Sequence, residues 1–182
     1  NLRARMEVTG SDLVVLGPSS HMAWLSDVHP HGDERPVMLL ITRDYAGFLM
    51  PSLNSASARQ STDLPFHMWR DDEGPHAALQ DILSACNATR PGLSVVLDET
   101  MRTDFSLLLL DHLQAPNRRF TDDTVGALRA CKDAAEFDAI KAAHLLNDRA
   151  VEAAFDALRI GMTERDLVQV IQEFYGAHGA TL

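Results

Sequence analysis

The feature that most constrains this chain is a change of periodicity partway along it. Over the first two thirds, short apolar runs bounded by Gly and Pro alternate with segments of helical spacing. Beyond Asp122-Asp123 only helical spacing remains. Leu13–Leu16, closed by Gly17-Pro18, reads as a buried strand. Residues 37–42 and 48–50 flank the turn signal Arg43-Asp44-Tyr45-Ala46-Gly47 and read as a hairpin. Residues 65–69 and 93–97 are two further strand candidates. Between them, residues 77–88 place Ala78, Leu79, Ile82, Leu83 and Cys86 on one helical face, and residues 101–113 form another apolar helix. Strands alternating with helices imply an α/β layer architecture, and the hairpin makes the sheet mixed.

After the change, Asp133 can cap a long helix reaching Arg159, with Gly161 as a left-handed stop. Thr163, with Asp166 three residues on, caps a second helix whose apolar stripe is Leu167, Val170, Ile171 and Phe174. The predicted organisation is one α/β domain over 1–123 and a helical hairpin over 124–182. The hairpin shows more apolar face than two helices bury on each other. Asn1 in place of Met, and an end without an obvious stop signal, read as a fragment of something longer.

The formal net charge of −10 argues against broad capture of nucleic acid, which needs basic patches. No apolar run approaches the roughly 18 residues of a membrane span, and no signal peptide opens the chain. Cys86 and Cys131 match no metal or redox spacing; two buried free thiols in a reducing cytoplasm is the expectation.

The richest polar stretch is Asp27-Val28-His29-Pro30-His31-Gly32-Asp33-Glu34-Arg35, a loop between strand-side segments. Its His-x-His-x-Asp run has the residue types of a zinc site. However, Glu34 stands where metallo-β-lactamase-type hydrolases place His, and Pro30 restricts the two imidazoles. A substrate- or partner-facing loop and a merely solvated loop both remain open. Ser19-Ser20-His21 reads as a turn, Asp71-Asp72-Glu73 as a solvated helix start, and His144 as a core or interface histidine on the long helix. The chain has no Gly-x-Gly-x-x-Gly or Walker loop.

Three motifs carry a resemblance. Ala23-Trp24-Leu25-Ser26, ahead of the polar loop, is similar to the aromatic-Leu-Thr-Gly stretch of the pita-bread metallopeptidases. That family holds the Xaa-Pro dipeptidases (prolidases), Xaa-Pro aminopeptidases and creatinases. Leu128-Arg129-Ala130-Cys131-Lys132 with Glu136-Phe137 resembles the family's Leu-Arg-x-x-Lys-x-x-x-Glu signature, and Leu158-Arg159-Ile160-Gly161-Met162-Thr163-Glu164 its Leu-x-x-Gly-Met-Thr-Glu turn. The resemblance implies a creatinase/prolidase N-terminal domain with a ribonuclease-H-like mixed sheet, followed by a helical hairpin that opens the catalytic domain.

It further implies a parent enzyme that hydrolyses the bond before proline in di- or short peptides, using a pair of divalent metals (Mn, Co or Zn). The family's metal ligands fall downstream of the hairpin, so no metal ligand is assigned here and the segment is expected to be inactive alone. A homodimer is implied, with Asp27, His29, His31 and Arg35 as a loop that limits substrate length. A non-catalytic peptide- or partner-binding module and a creatinase-like amidinohydrolase are the alternatives on the same scaffold.

Overall fold

A computed structural model describes residues 1–180. They form two compact units, the first residues 1–130 and the second the described residues from 131 on. In the first, the order is α1 (Leu2–Thr9), β1 (Leu13–Leu16), α2 (Ser20–Ser26), β2 (Met38–Ile41), β3 (Ala46–Pro51), α3 (Ser52–Ala58), β4 (Phe66–Trp69), α4 (His76–Ala85), β5 (Ser94–Leu97), α5 (Thr103–Asp111), β6 (Asn117–Phe120), a 3-10 turn (Thr121–Asp123) and α6 (Val125–Ala130). The second holds α7 (Ala134–Ala157) and α8 (Glu164–Ala177).

The six strands make one mixed sheet in the order β4-β3-β2-β1-β5-β6. The expected hairpin is present: β2 and β3 pair antiparallel, Met38 opposite Leu49 and Ile41 opposite Ala46. Gly47 leaves room inside it for the Tyr45 ring, which a Cβ there would meet at 2.9 Å. β2 also pairs antiparallel with β1. The β1–β5, β5–β6 and β3–β4 pairs are parallel.

Both faces of the sheet are covered, which explains the unbroken apolar run in β1. Leu13 and Val15 pack with α4 and α5 through Leu79, Ile82, Phe105 and Leu109. Val14 and Leu16 face the other side with Met6 of α1, Met22 of α2, Phe48 and Val125. Val125 and Leu128 tie α6 into this second core, so the first unit runs past the composition change at Asp122-Asp123.

Five helices and strands lie outside the expected set: α1, α2, α3, β6 and α6. Ser19-Ser20-His21 is no simple turn. Ser19 caps α2, its hydroxyl accepting from the His21 and Met22 amides at 3.2 and 3.3 Å, and His21 is buried. β6, Asn-Arg-Arg-Phe, is an exposed edge strand and carries no apolar run. Cys86 is buried and free, as expected, but Cys131 is free and exposed.

In the second unit both predicted caps form as complete capping boxes, Asp133 with Glu136 and Thr163 with Asp166. α7 ends at Ala157, two residues before the expected Arg159, because Leu158 is already extended. Gly161, at φ +96, takes the left-handed position within the connection. α7 and α8 pack on each other. His144 is exposed and not a core residue. Among the described residues, no helix is long and apolar enough to cross a membrane.

Candidate functional site

The polar loop leaves α2 through Asp27, whose left-handed conformation (φ 56) turns the chain while its amide still bonds the Ala23 carbonyl at 2.9 Å. Val28 then plugs into the second core at 3% exposure. With Val28 held inward, His29 and His31 stand outward, and His29 Nε2 lies 3.4 Å from Asp27 Oδ1.

The loop's far end is fixed differently. Asp33 accepts from the Arg35 amide at 2.8 Å. The Arg35 guanidinium grips Asp71 as a fork, at 3.0 and 2.9 Å. That hydrogen-bonded pairing raises the Arg35 pKa and lowers that of Asp71. The Trp69 indole N–H donates to the Pro36 carbonyl at 3.1 Å. Asp71 is thus a loop anchor and not part of a helix start, since α4 opens at His76.

Three of the four sequence-proposed residues come together. Asp27, His29 and His31 form one wall of a cleft of about 240 Å³, facing Asn54 and Ser57 of α3 and Ser61. Arg35 does not line it. The cleft is below the roughly 300–1,000 Å³ of sites for drug-sized ligands, so it suits a terminus or one small side chain. Imidazole, amide and hydroxyl groups facing one another offer hydrogen bonds to a carboxylate, and Asp27 adds an acceptor for an ammonium group.

A second polar cluster has little signal in the sequence. The β5 strand delivers Asp98 and Glu99 from its carboxyl end toward His21 of α2, the one group of three metal-capable side chains among the described residues. Each has a protein partner. Buried Asp98 accepts from the Ser19 hydroxyl at 2.5 Å and from the Thr100 hydroxyl and amide at 2.6 and 2.9 Å. The Thr121 hydroxyl donates to Glu99. Burial opposes ionisation of Glu99, but hydrogen bonds from its own backbone and from Thr121 outweigh it and hold the pKa below its ordinary value.

The Arg129 guanidinium lies 2.9 Å from His21 Nδ1 and 2.9 Å from the Ser20 hydroxyl. Arginine only donates, so Nδ1 is the acceptor in that contact and Nε2 is directed toward Glu99 and Thr121. A guanidinium on the imidazole and a saturated Asp98 do not fit a catalytic metal pair. The cluster instead locks the start of α2, and so the entry to the polar loop, to α6.

The likeness to known proteins follows this architecture. The crystal structure of a dipeptidase from Pyrococcus horikoshii OT3 superposes with a TM-score of 0.83 at 23% identity, over 97% of this chain and 49% of that one. A prolidase from Thermococcus sibiricus gives 0.85 at 20% identity, over 98% and 48%. The isolated creatinase/prolidase N-terminal domain of an X-Pro dipeptidase from Streptococcus pyogenes gives 0.55 at 17%, over 64% and 88%. At these identities the likeness is one of fold, and the chain spans about half the length of the first two structures. No curated protein matches the chain by sequence. The creatinase/prolidase N-terminal domain model matches residues 1–130, the whole of the first compact unit. With the mixed six-stranded sheet and most of the chain inside that match, the protein belongs to the creatinase/prolidase N-terminal domain family.

Proposed function

We propose that this chain is the N-terminal portion of a metal-dependent Xaa-Pro peptidase, prolidase-like, and that it contributes dimerisation and a limit on substrate length. Family membership over residues 1–130 supports the first part. The observation that carries the second is the small cleft walled by Asp27, His29 and His31. In the homodimer this loop meets the free end of a proline-containing di- or short peptide, its imidazoles and the facing Asn54 and Ser57 hydrogen-bonding the terminal carboxylate. Arg35 acts one step removed, holding the loop through Asp71. The metal pair (Mn, Co or Zn) and the hydrolytic step belong to residues outside this chain.

The test is made in the full-length protein. Replacing His29 and His31 by Ala is expected to raise kcat/KM on longer Xaa-Pro peptides relative to Xaa-Pro dipeptides. An unchanged length preference overturns the gating role. The 182-residue chain alone, supplied with Mn(II), Co(II) or Zn(II), is expected to release no proline from such dipeptides; release would place the chemistry inside it.

A further inference from the structure

Away from the loop, two histidines with no part in the proposed function meet on the helical layer that covers one face of the sheet. His76 opens α4 and His112 caps the C-terminus of α5. Both helices bury their apolar faces in one core, Leu79 and Ile82 beside Phe105 and Leu109. The packing sets His76 Nδ1 3.4 Å from His112 Nε2, with ring centroids 5.2 Å apart.

That separation is long for an N–H···N hydrogen bond. It equals the edge of a metal coordination shell: two imidazole ligands of a tetrahedral zinc, each at about 2.0–2.1 Å, stand about 3.3–3.4 Å apart. The tautomer also fits. His112 Nδ1 lies 2.9 Å from the Leu108 carbonyl, which can only accept. The proton is therefore on Nδ1, and the Nε2 lone pair faces His76. A ligating histidine almost always donates its other ring N–H to a carbonyl or carboxylate in this way, fixing ring orientation and raising basicity. The C-terminal end of α5 adds its negative dipole end beside His112.

We propose that His76 and His112 form a two-histidine site for a borderline divalent ion of the zinc class, bridging α4 and α5. Among the described residues, no third His, Cys, Asp or Glu joins the pair, so water completes the shell. Imidazole selects Zn(II), Cu(II) or Ni(II) over Mg(II) and Ca(II). Because the two ligands meet only in the folded unit, the ion binds the native state alone and raises its melting temperature by mass action.

Zinc chloride titrated into the 182-residue chain at neutral pH, followed by calorimetry and imidazole 15N shifts, tests the site. One ion per chain is expected, with the shifts confined to His76 Nδ1 and His112 Nε2. Removing a ligand should cost at least the about tenfold that loss of an outer-shell partner costs, so H76Q and H112Q should each weaken binding by about tenfold or more. Both variants should keep the wild-type Tm in EDTA but lose its rise in excess zinc, while H144A, on α7, should bind as wild type does. The proposal is overturned by no saturable binding, by shifts centred on His29, His31 or any other histidine, or by unchanged affinity in both glutamine variants.

Discussion

The two compact units are held by different means. In residues 1–130 a sheet is buried on both faces, and Phe48, Phe105, Leu79 and Leu109 have at most 1% exposure. In residues 131–180 one residue, Ala150, is buried, while Phe137, Phe155 and Leu158 are 60%, 72% and 55% exposed. Local signals run the other way. Both helices of the second unit have full capping boxes, but the N-cap residues of α1, α3, α4 and α5 of the first make no side-chain cap bond. Where burial orders a helix, its N-terminus can do without a side-chain cap. Where burial is slight, the ends carry the signal, since isolated helices are marginal in water.

The contrast can be broken most directly by aromatic truncation. Phe48→Ala should destabilise the first unit by about 3–5 kcal/mol, the transfer and cavity cost of a buried Phe. Phe155→Ala should change stability by less than about 0.5 kcal/mol, as exposed positions do. Urea unfolding of the two variants decides it. A comparable loss at Phe155 would mean that the hairpin's apolar face is covered in solution.

A smaller effect sharpens the role of the caps. Thr163→Ala should cost about 1 kcal/mol, read as faster amide exchange in α8, because the hydroxyl accepts from the Asp166 amide.

The smallest effect contrasts the carboxylates of the two units. Asp166 is held low in pKa by the backbone and side chain of Thr163, three residues away, whereas the Thr121 contacts that help hold Glu99 low cross from another strand end. A depressed folded pKa gives stability that is present above the unfolded value, about 4.3 for Glu, and lost as pH falls through the folded one. Glu99→Gln should therefore lower the urea midpoint at neutral pH, and the gap to wild type should close on acidification below about 4. A gap that is constant with pH would show that Glu99 ionisation does not support the α2–β5 junction.

Much of the fold was legible because apolar periodicity is written locally. The hairpin, the β1 and β5 runs, α4 and the long helix with its Asp133 cap all announce themselves through spacing. What escaped has physical reasons. β6 is polar because it is an edge strand with little to bury, and α3, Ser-Leu-Asn-Ser-Ala-Ser-Ala, has no apolar stripe. In the candidate site, Asp27, His29 and His31 were legible as a polar loop. That Arg35 points to Asp71 and away from the cleft was not, since its partner lies 36 residues along the chain. The His21–Arg129 contact spans 108 residues, a separation at which no periodicity links two side chains.

By itself the sequence determined the α/β class, the hairpin, the capped helices and the family likeness, because each rests on spacings of a few residues that local sterics and burial periodicity enforce. The tertiary structure alone decided which polar groups meet. Strand order and helix packing bring His21 to Glu99 and Arg129, Arg35 to Asp71, and His76 to His112. Contacts of that kind depend on where the sheet places distant segments, and no local spacing encodes them.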